Sequence, residues 1–276
     1  MNQIEKRGME GVYPMPASGR TDPPRESGLT MVIDMGSGIA ATRDLLDFAG
    51  RYIDIMKISS GTAAIYPERI LAEKLELCRS YGIETKTGGS HFEVACWKQA
   101  ADAFFRKALS LGFTAVEIAD GHLPLSEAVR IDSIKRAKDM GLKVATEVGK
   151  KLPSENIKAP GIVEMIQKDL EAGSDYVIIE GKASGMDVGI FDEAGNINEA
   201  ELDEIVSGVD DMNKIIWEAP LRPQEQALIL RFGPNVNLGN IFPQEVYPLE
   251  LMRNALMLMP LIDAYRKETE SGGKNI

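Results

Sequence analysis

From residue 30 onward, short β-branched runs alternate with longer stretches whose apolar residues recur every three to four positions. The runs at 30–36 (TMVIDMG), 54–59 (DIMKIS), 84–89 (ETKTGG) and 115–120 (AVEIAD) read as strands. So do 143–149 (KVATEVG), 176–182 (YVIIEGK), 214–220 (KIIWEAP) and 235–241 (NVNLGNI). Stretches such as 68–81 and 93–111 have the helical period, and Gly82, Gly112, Gly141 and Gly173 stop helices just before the next strand. Eight such units over about 240 residues predict an α/β protein, a closed (β/α)8 TIM barrel forming one domain over 29–266. An open doubly wound sheet would place a glycine-rich dinucleotide turn after the first strand, and 34–38 (DMGSG) is too short for one. A polar arm rich in Gly and Pro (1–28) precedes the barrel, and a flexible tail (267–276) follows it.

Side chains two apart on a strand share a face. One face reads Val32/Asp34, Ile55/Lys57, Ala115/Glu117, Ala145/Glu147, Ile178/Glu180, Ile216/Glu218 and Asn235/Asn237. The other reads Ile33, Met56/Ile58, Val116/Ile118, Val144/Val148, Val177/Ile179 and Ile215/Trp217, apolar enough to lie under the helices. The first set is therefore expected inside the barrel, its charged members near the strand C-termini, where barrel active sites lie. Inward charges are costly unless paired or holding a ligand, so Lys57, Glu117, Glu147, Glu180 and Glu218 together point to an enzyme. Asp34 and Asn237 join them as substrate-binding candidates.

The connections add further candidates. Lys150 and Lys151, directly after the fifth strand, suit a proton donor or an anion clamp. The long segment 183–200, with glycine and alanine hinges around Phe191, is expected to act as a lid. Gly239 and Asn240 fall where barrels commonly hold phosphate, with Arg222 as the accompanying cation. His91 and His122, the two histidines of the chain, follow strands three and four and are candidates for acid–base chemistry or metal ligation.

Composition narrows the classes. With 31 basic and 42 acidic side chains among 276 residues, the net charge is −11, which argues against nucleic-acid binding. No window approaches the roughly 18 apolar residues of a membrane span, and the arm lacks the apolar core of a signal peptide, so a cytoplasmic protein is expected. Cys78 and Cys96 have no metal-site spacing and read as buried thiols.

The runs 28–34 (GLTMVID), 88–93 (GGSHFE), 117–121 (EIADG), 147–151 (EVGKK), 217–220 (WEAP) and 232–241 (FGPNVNLGNI) resemble the phosphosulfolactate synthase family. The resemblance covers the chain in order from about residue 24 to 265. It implies a (β/α)8 barrel, usually a homo-oligomer, that adds sulfite to phosphoenolpyruvate with Mg²⁺ to give (2R)-phospho-3-sulfolactate, an intermediate of one route to coenzyme M. In that reaction charge passes into the substrate carboxylate as an aci-carboxylate, where a divalent cation stabilises it. Glu147 and Glu180 then suit Mg²⁺, and Lys57, Lys150 or Lys151 suits the acid or anion clamp. Both partners are small anions. The family pattern places cations where this chain has Met35 and Met257, an acidic residue where it has Met259, and Arg where it has Lys182, which leaves Lys182 as a substrate contact. Those departures keep two alternatives open: a paralogue acting on another enol or carboxylate substrate with His91 or His122 in its chemistry, and a non-catalytic, stress-related relative.

Overall fold

A computed structural model describes residues 6–270. Eight parallel strands close into a barrel in sequence order: β1 (Thr30–Asp34), β2 (Ile55–Ile58), β3 (Glu84–Thr87), β4 (Ala115–Ile118), β5 (Lys143–Val148), β6 (Tyr176–Ile179), β7 (Ile215–Glu218) and β8 (Leu238–Ile241). Around them run α1 (Ile39–Ala49), α2 (Glu68–Ser80), α3 (Gly89–Trp97), α4 (Ala101–Leu111), α5 (Glu127–Asp139), α6 (Ala159–Glu171), α7 (Glu199–Ser207), α8 (Arg222–Phe232), α9 (Val246–Arg253) and α10 (Leu258–Glu270). The expected TIM barrel is observed. All four predicted glycine stops have positive φ, between 76° and 108°, a conformation that side chains with a Cβ rarely adopt. The single helix expected over 93–111 is instead two, because the chain turns at Gln99 (φ 54°) between α3 and α4.

Two cores hold the fold. Val32, Met56, Ile58, Val116, Val144, Val177 and Trp217 face outward into the helices. Inside the barrel, Leu29, Met31, Ile55, Ala145, Ile178 and Ile216 form a small apolar plug, and the charged residues lie one step further toward the strand C-termini. Gly239 belongs to this interior. A Cβ there would come 2.5 Å from Met31 Cε and 3.0 Å from Ile216 Cγ2, so glycine leaves room for the plug.

β1 departs from the expected face. Met31 and Ile33 turn inward, while Val32 and Asp34 turn outward. The run Thr30-Met31-Val32-Ile33 is nearly uniform on both faces, as strands buried on both sides are, so hydropathy could not set its parity. Lys74 on α2 settles the matter by pairing with Asp34 on the outer side.

The arm is partly docked rather than free. Arg20 pairs with Glu250 (3.0 Å), Arg25 with Asp54 (3.1 Å), and Thr21 N donates to Asn235 Oδ1 (3.1 Å), fixing the arm across the N-terminal end of the barrel. α10 continues through Glu270, so residues 267–270 of the expected tail are helical; residues 1–5 and 271–276 lie outside the described residues. The segment 183–200 is not built as a lid. It buries Val188, Ile190 and Phe191 in the outer core, and Gln224 Nε2 donates to Gly185 O (2.6 Å) and Gly195 O (3.0 Å). Cys78 is buried and Cys96 half-buried, both as free thiols. Among the described residues, no helix is long and apolar enough to cross a membrane.

Candidate active site

The strand C-termini open into a cavity of about 130 Å³ floored by charge. Lys57 on β2 projects into its centre. Its Nζ is 2.8 Å from Glu218 Oε1, 3.1 Å from Glu117 Oε2 and 3.3 Å from Glu147 Oε2. Lys151 reaches in from the loop after β5 and pairs with Glu147 (3.0 Å) and with Glu180. Backbone amides hold the carboxylates as well: Gly89 N donates to Glu117 (2.6 Å), Gly181 N to Glu218 (3.1 Å) and Lys182 N to Glu180 (2.6 Å).

A residue missed by the sequence reading completes the layer. Lys86 on β3 is fully buried, stands beside Lys57 in the strand register and pairs with Glu117. The signal was available, since Lys86 has inward parity, but the polar run 84–89 offered no apolar partner face by which to orient it.

Four buried carboxylates thus face three ammonium groups, one negative charge in excess. Burial alone would push Lys57 down, but Glu218 and Glu147 outweigh it and hold the ammonium above its ordinary range. Lys151 is held up in the same way, against burial, by Glu147 and Glu180. Lys86 goes the other way, pushed well down by burial and by the Lys57 charge. Burial raises Glu147, yet Lys151 and Lys57 bring it well below the carboxylate range. Glu180 lies well above that range, through burial and the charges of Glu147 and Glu218, so it is the carboxyl of the layer that most readily holds a proton. Oxygens of Glu147, Glu180 and Glu218 lie within 4.8 Å of one another, the one carboxylate group among the described residues with the spacing and donor type to hold a hard cation.

The expected residues divide. The cavity gathers Lys57, Glu117, Glu147, Glu218 and Lys151, with Glu180 against Lys151, and carries His122, Lys182 and Asn240 on its wall. His122 Nδ1 is 3.1 Å from Glu93 Oε2. Asn240 (φ 54°) donates through Nδ2 to Lys182 O (3.1 Å), while its Oδ1 is buried without a partner. Lys182 Nζ donates to Asp187 O (2.9 Å).

The other candidates lie elsewhere. Asp34 is outside the barrel on Lys74 and Tyr66. Lys150 turns away from Lys151 and donates to Asp120 O (2.7 Å) and Oδ2 (2.6 Å), behind the mouth. Arg222 is spent on a two-pronged pair with Glu245 (2.9 and 2.8 Å) at the surface. Asn237 is at the opposite end, accepting from Leu29 N (2.9 Å) and donating to Asn213 O (2.9 Å) and Ile215 O (3.1 Å). Its inward parity was sound, but β8 starts only at Leu238. Gly239 lies within the apolar plug rather than at a phosphate. His91 points to the back of α3, edge-on to Phe104, and burial pushes its imidazole down.

A sequence model of the (2R)-phospho-3-sulfolactate synthase (ComA) family matches residues 18–258, spanning every element of this site. The chain belongs to that family. It is 43% identical to the phosphosulfolactate synthase of Methanocaldococcus jannaschii over 84% of this chain and 92% of the relative. It is 33% identical to the phosphosulfolactate synthase of Bacillus subtilis over 86% and 93%. Family membership makes the protein an enzyme, a carbon–sulfur bond-forming lyase, and sets aside a non-catalytic role. Among solved structures it is similar to the YdjI aldolase of Escherichia coli K12 (TM-score 0.56, 10% identity, 90% of this chain and 92% of that one). It is likewise similar to a putative fructose-1,6-bisphosphate aldolase of Coccidioides immitis (TM-score 0.57, 11% identity, 89% and 94%). At such identities the likeness shows the barrel fold alone.

Proposed function

We propose that the protein adds sulfite to phosphoenolpyruvate and releases (2R)-phospho-3-sulfolactate. The observation that carries this reading is the charged layer itself, Lys57 and Lys151 fixed among buried glutamates at the mouth of a phosphosulfolactate synthase barrel. The sulfur lone pair forms a bond to the terminal carbon of the enol phosphate. The alkene electrons move toward the carboxylate, and a proton delivered to the neighbouring carbon returns them. The fixed ammonium of Lys57 stabilises the negative charge as it develops, without reorganisation. Lys151, half-exposed at the cavity wall and kept protonated by Glu147 and Glu180, is the proton donor, with Lys182 as a second cation for the anionic substrates.

The residues fit a divalent cation, because oxygens of Glu147, Glu180 and Glu218 converge within 4.8 Å and a cation among them would offset the burial and mutual repulsion that raise Glu180. Glu147, Glu180 and Glu218 would hold Mg²⁺, which when bound supplies positive charge to the substrate carboxylate. Glu117 stays with Lys86 and Gly89 N, and so keeps Lys57 centred.

Purified protein incubated with phosphoenolpyruvate, sulfite and Mg²⁺ is expected to yield phosphosulfolactate by mass spectrometry. Intact substrates after prolonged incubation at high enzyme concentration would refute the reading.

A further inference from the structure

We propose that a second cavity, behind α3, binds a small carboxylate with an apolar body. It has a volume of about 430 Å³ and is walled by Tyr66, Leu71, His91, Phe104, Leu111 and Phe113. That volume falls within the roughly 300–1,000 Å³ of small-molecule sites. Small side chains at Ala95, Ala103 and Ala108 leave the space open.

His91 gives the cavity its polar specificity. Its Nδ1 is buried without a partner, and among the described residues no hydrogen bond reaches Nε2, which leaves Nε2 as the ring nitrogen that this lining residue has available for a ligand. A buried N–H without an acceptor costs more than an acceptor without a donor, which places the proton of the neutral ring on Nε2. The cavity therefore offers one hydrogen-bond donor within an aromatic wall. Lys98 and Lys107 stand at its rim, Lys98 over the Trp97 ring (3.5 Å to the centroid) and Lys107 in an exposed pair with Glu68 (2.8 Å). One cation thus remains in excess there, on a chain of net charge −11. An anionic oxygen at His91, with an aromatic or aliphatic body along Phe104 and Phe113, meets all three features. An apolar protein segment would leave Nε2 unsatisfied. The helix between this cavity and the mouth is shared: the first amide of α3 holds Glu117, and Glu93 holds His122.

The test uses 3-phenylpropionate and the two imidazoles of the full chain as separate nuclear magnetic resonance reporters. Titration is expected to move the His91 ring signals saturably, with a dissociation constant of about 1 mM or tighter, and to leave His122 in place. His91→Phe keeps the ring packing and removes the donor. Ala103→Trp fills the cavity from an exposed position. Read from the broadening of the ligand's own signals, each is expected to weaken binding at least tenfold while the thermal melt stays cooperative. No saturable His91 shift, or equal affinity in the Ala103→Trp protein, would overturn the proposal. So would a wild-type dimer that Ala103→Trp dissociates, since a second copy would then fill the cavity.

Discussion

Lys57 Nζ lies 2.8 Å from Glu218 Oε1, and through that one contact β2 and β7, three strands apart around the barrel, meet across its interior. The same ammonium touches Glu117 and Glu147, so it compensates three buried carboxylates at once. Lys57→Met removes that compensation and is expected to destabilise the fold by about 3–5 kcal/mol, the cost of leaving buried charge unpaired. Urea unfolding measures it. Activity per folded molecule should fall by at least ~100-fold, as for loss of a fixed group that stabilises developing charge. A variant as active and as stable as the wild type would mean that Lys57 only fills space.

The neighbouring lysines Lys150 and Lys151 separate role from position. Lys151→Arg keeps the charge beside Glu147 and Glu180 but gives up a proton far less readily. Its kcat is expected to fall about 10²–10⁴-fold with KM changed little. Lys150→Ala loses only the contact with Asp120, behind the mouth, and should keep kcat/KM within about threefold. Steady-state kinetics of the two proteins side by side decides the assignment, and equal losses would reject it.

The barrel was legible because eight strand runs alternate with helical stretches, four of them ended by a glycine stop, and on β2 and β4 to β7 the inward parity was fixed by a charged residue opposite an apolar face. Parity says which face a side chain takes, but not how far along the barrel axis it lies. That is why Asn237 and Gly239, both of inward parity, belong to the N-terminal end and the plug rather than to the mouth. β1 was misread because Val32 and Ile33 are interchangeable by hydropathy, and contacts from Tyr66 and Lys74, 32 and 40 residues along the chain, decide where Asp34 goes. The side chains after the strands were the least legible. Lys150, His91 and Arg222 each follow a strand, yet each is claimed by a neighbouring helix or loop whose contacts no local spacing encodes.

Asn237 ties three backbone groups at the N-terminal end, two as donor and one as acceptor. Asn237→Ala leaves Leu29 N, Asn213 O and Ile215 O to find other partners in a buried setting, at an expected cost of about 1–3 kcal/mol. Because the mouth lies at the far end, KM for both substrates should stay at the wild-type value. A raised KM in a protein of unchanged melting temperature would return Asn237 to the substrate site.

Glu225 on α8 is fully buried, and neither carboxylate oxygen has a partner. Burial and then the charge of Glu245 push it up to about 8, against opposing contributions from Arg253 and Arg222. With the folded value above the unfolded one, the native state binds the extra proton between them. The stabilisation is therefore complete below the ordinary carboxylate range and is lost as pH rises toward 8, at up to about 1.4 kcal/mol per pH unit. Glu225→Gln keeps the shape and removes the titration. The variant should match the wild type near pH 4 and exceed it increasingly at pH 6.5 and 8, read from urea unfolding at each pH. Because the comparison is a difference between two proteins, the opposing slopes of Glu147 and Glu180 cancel. A gap that stays constant with pH would show that Glu225 is not the group that titrates.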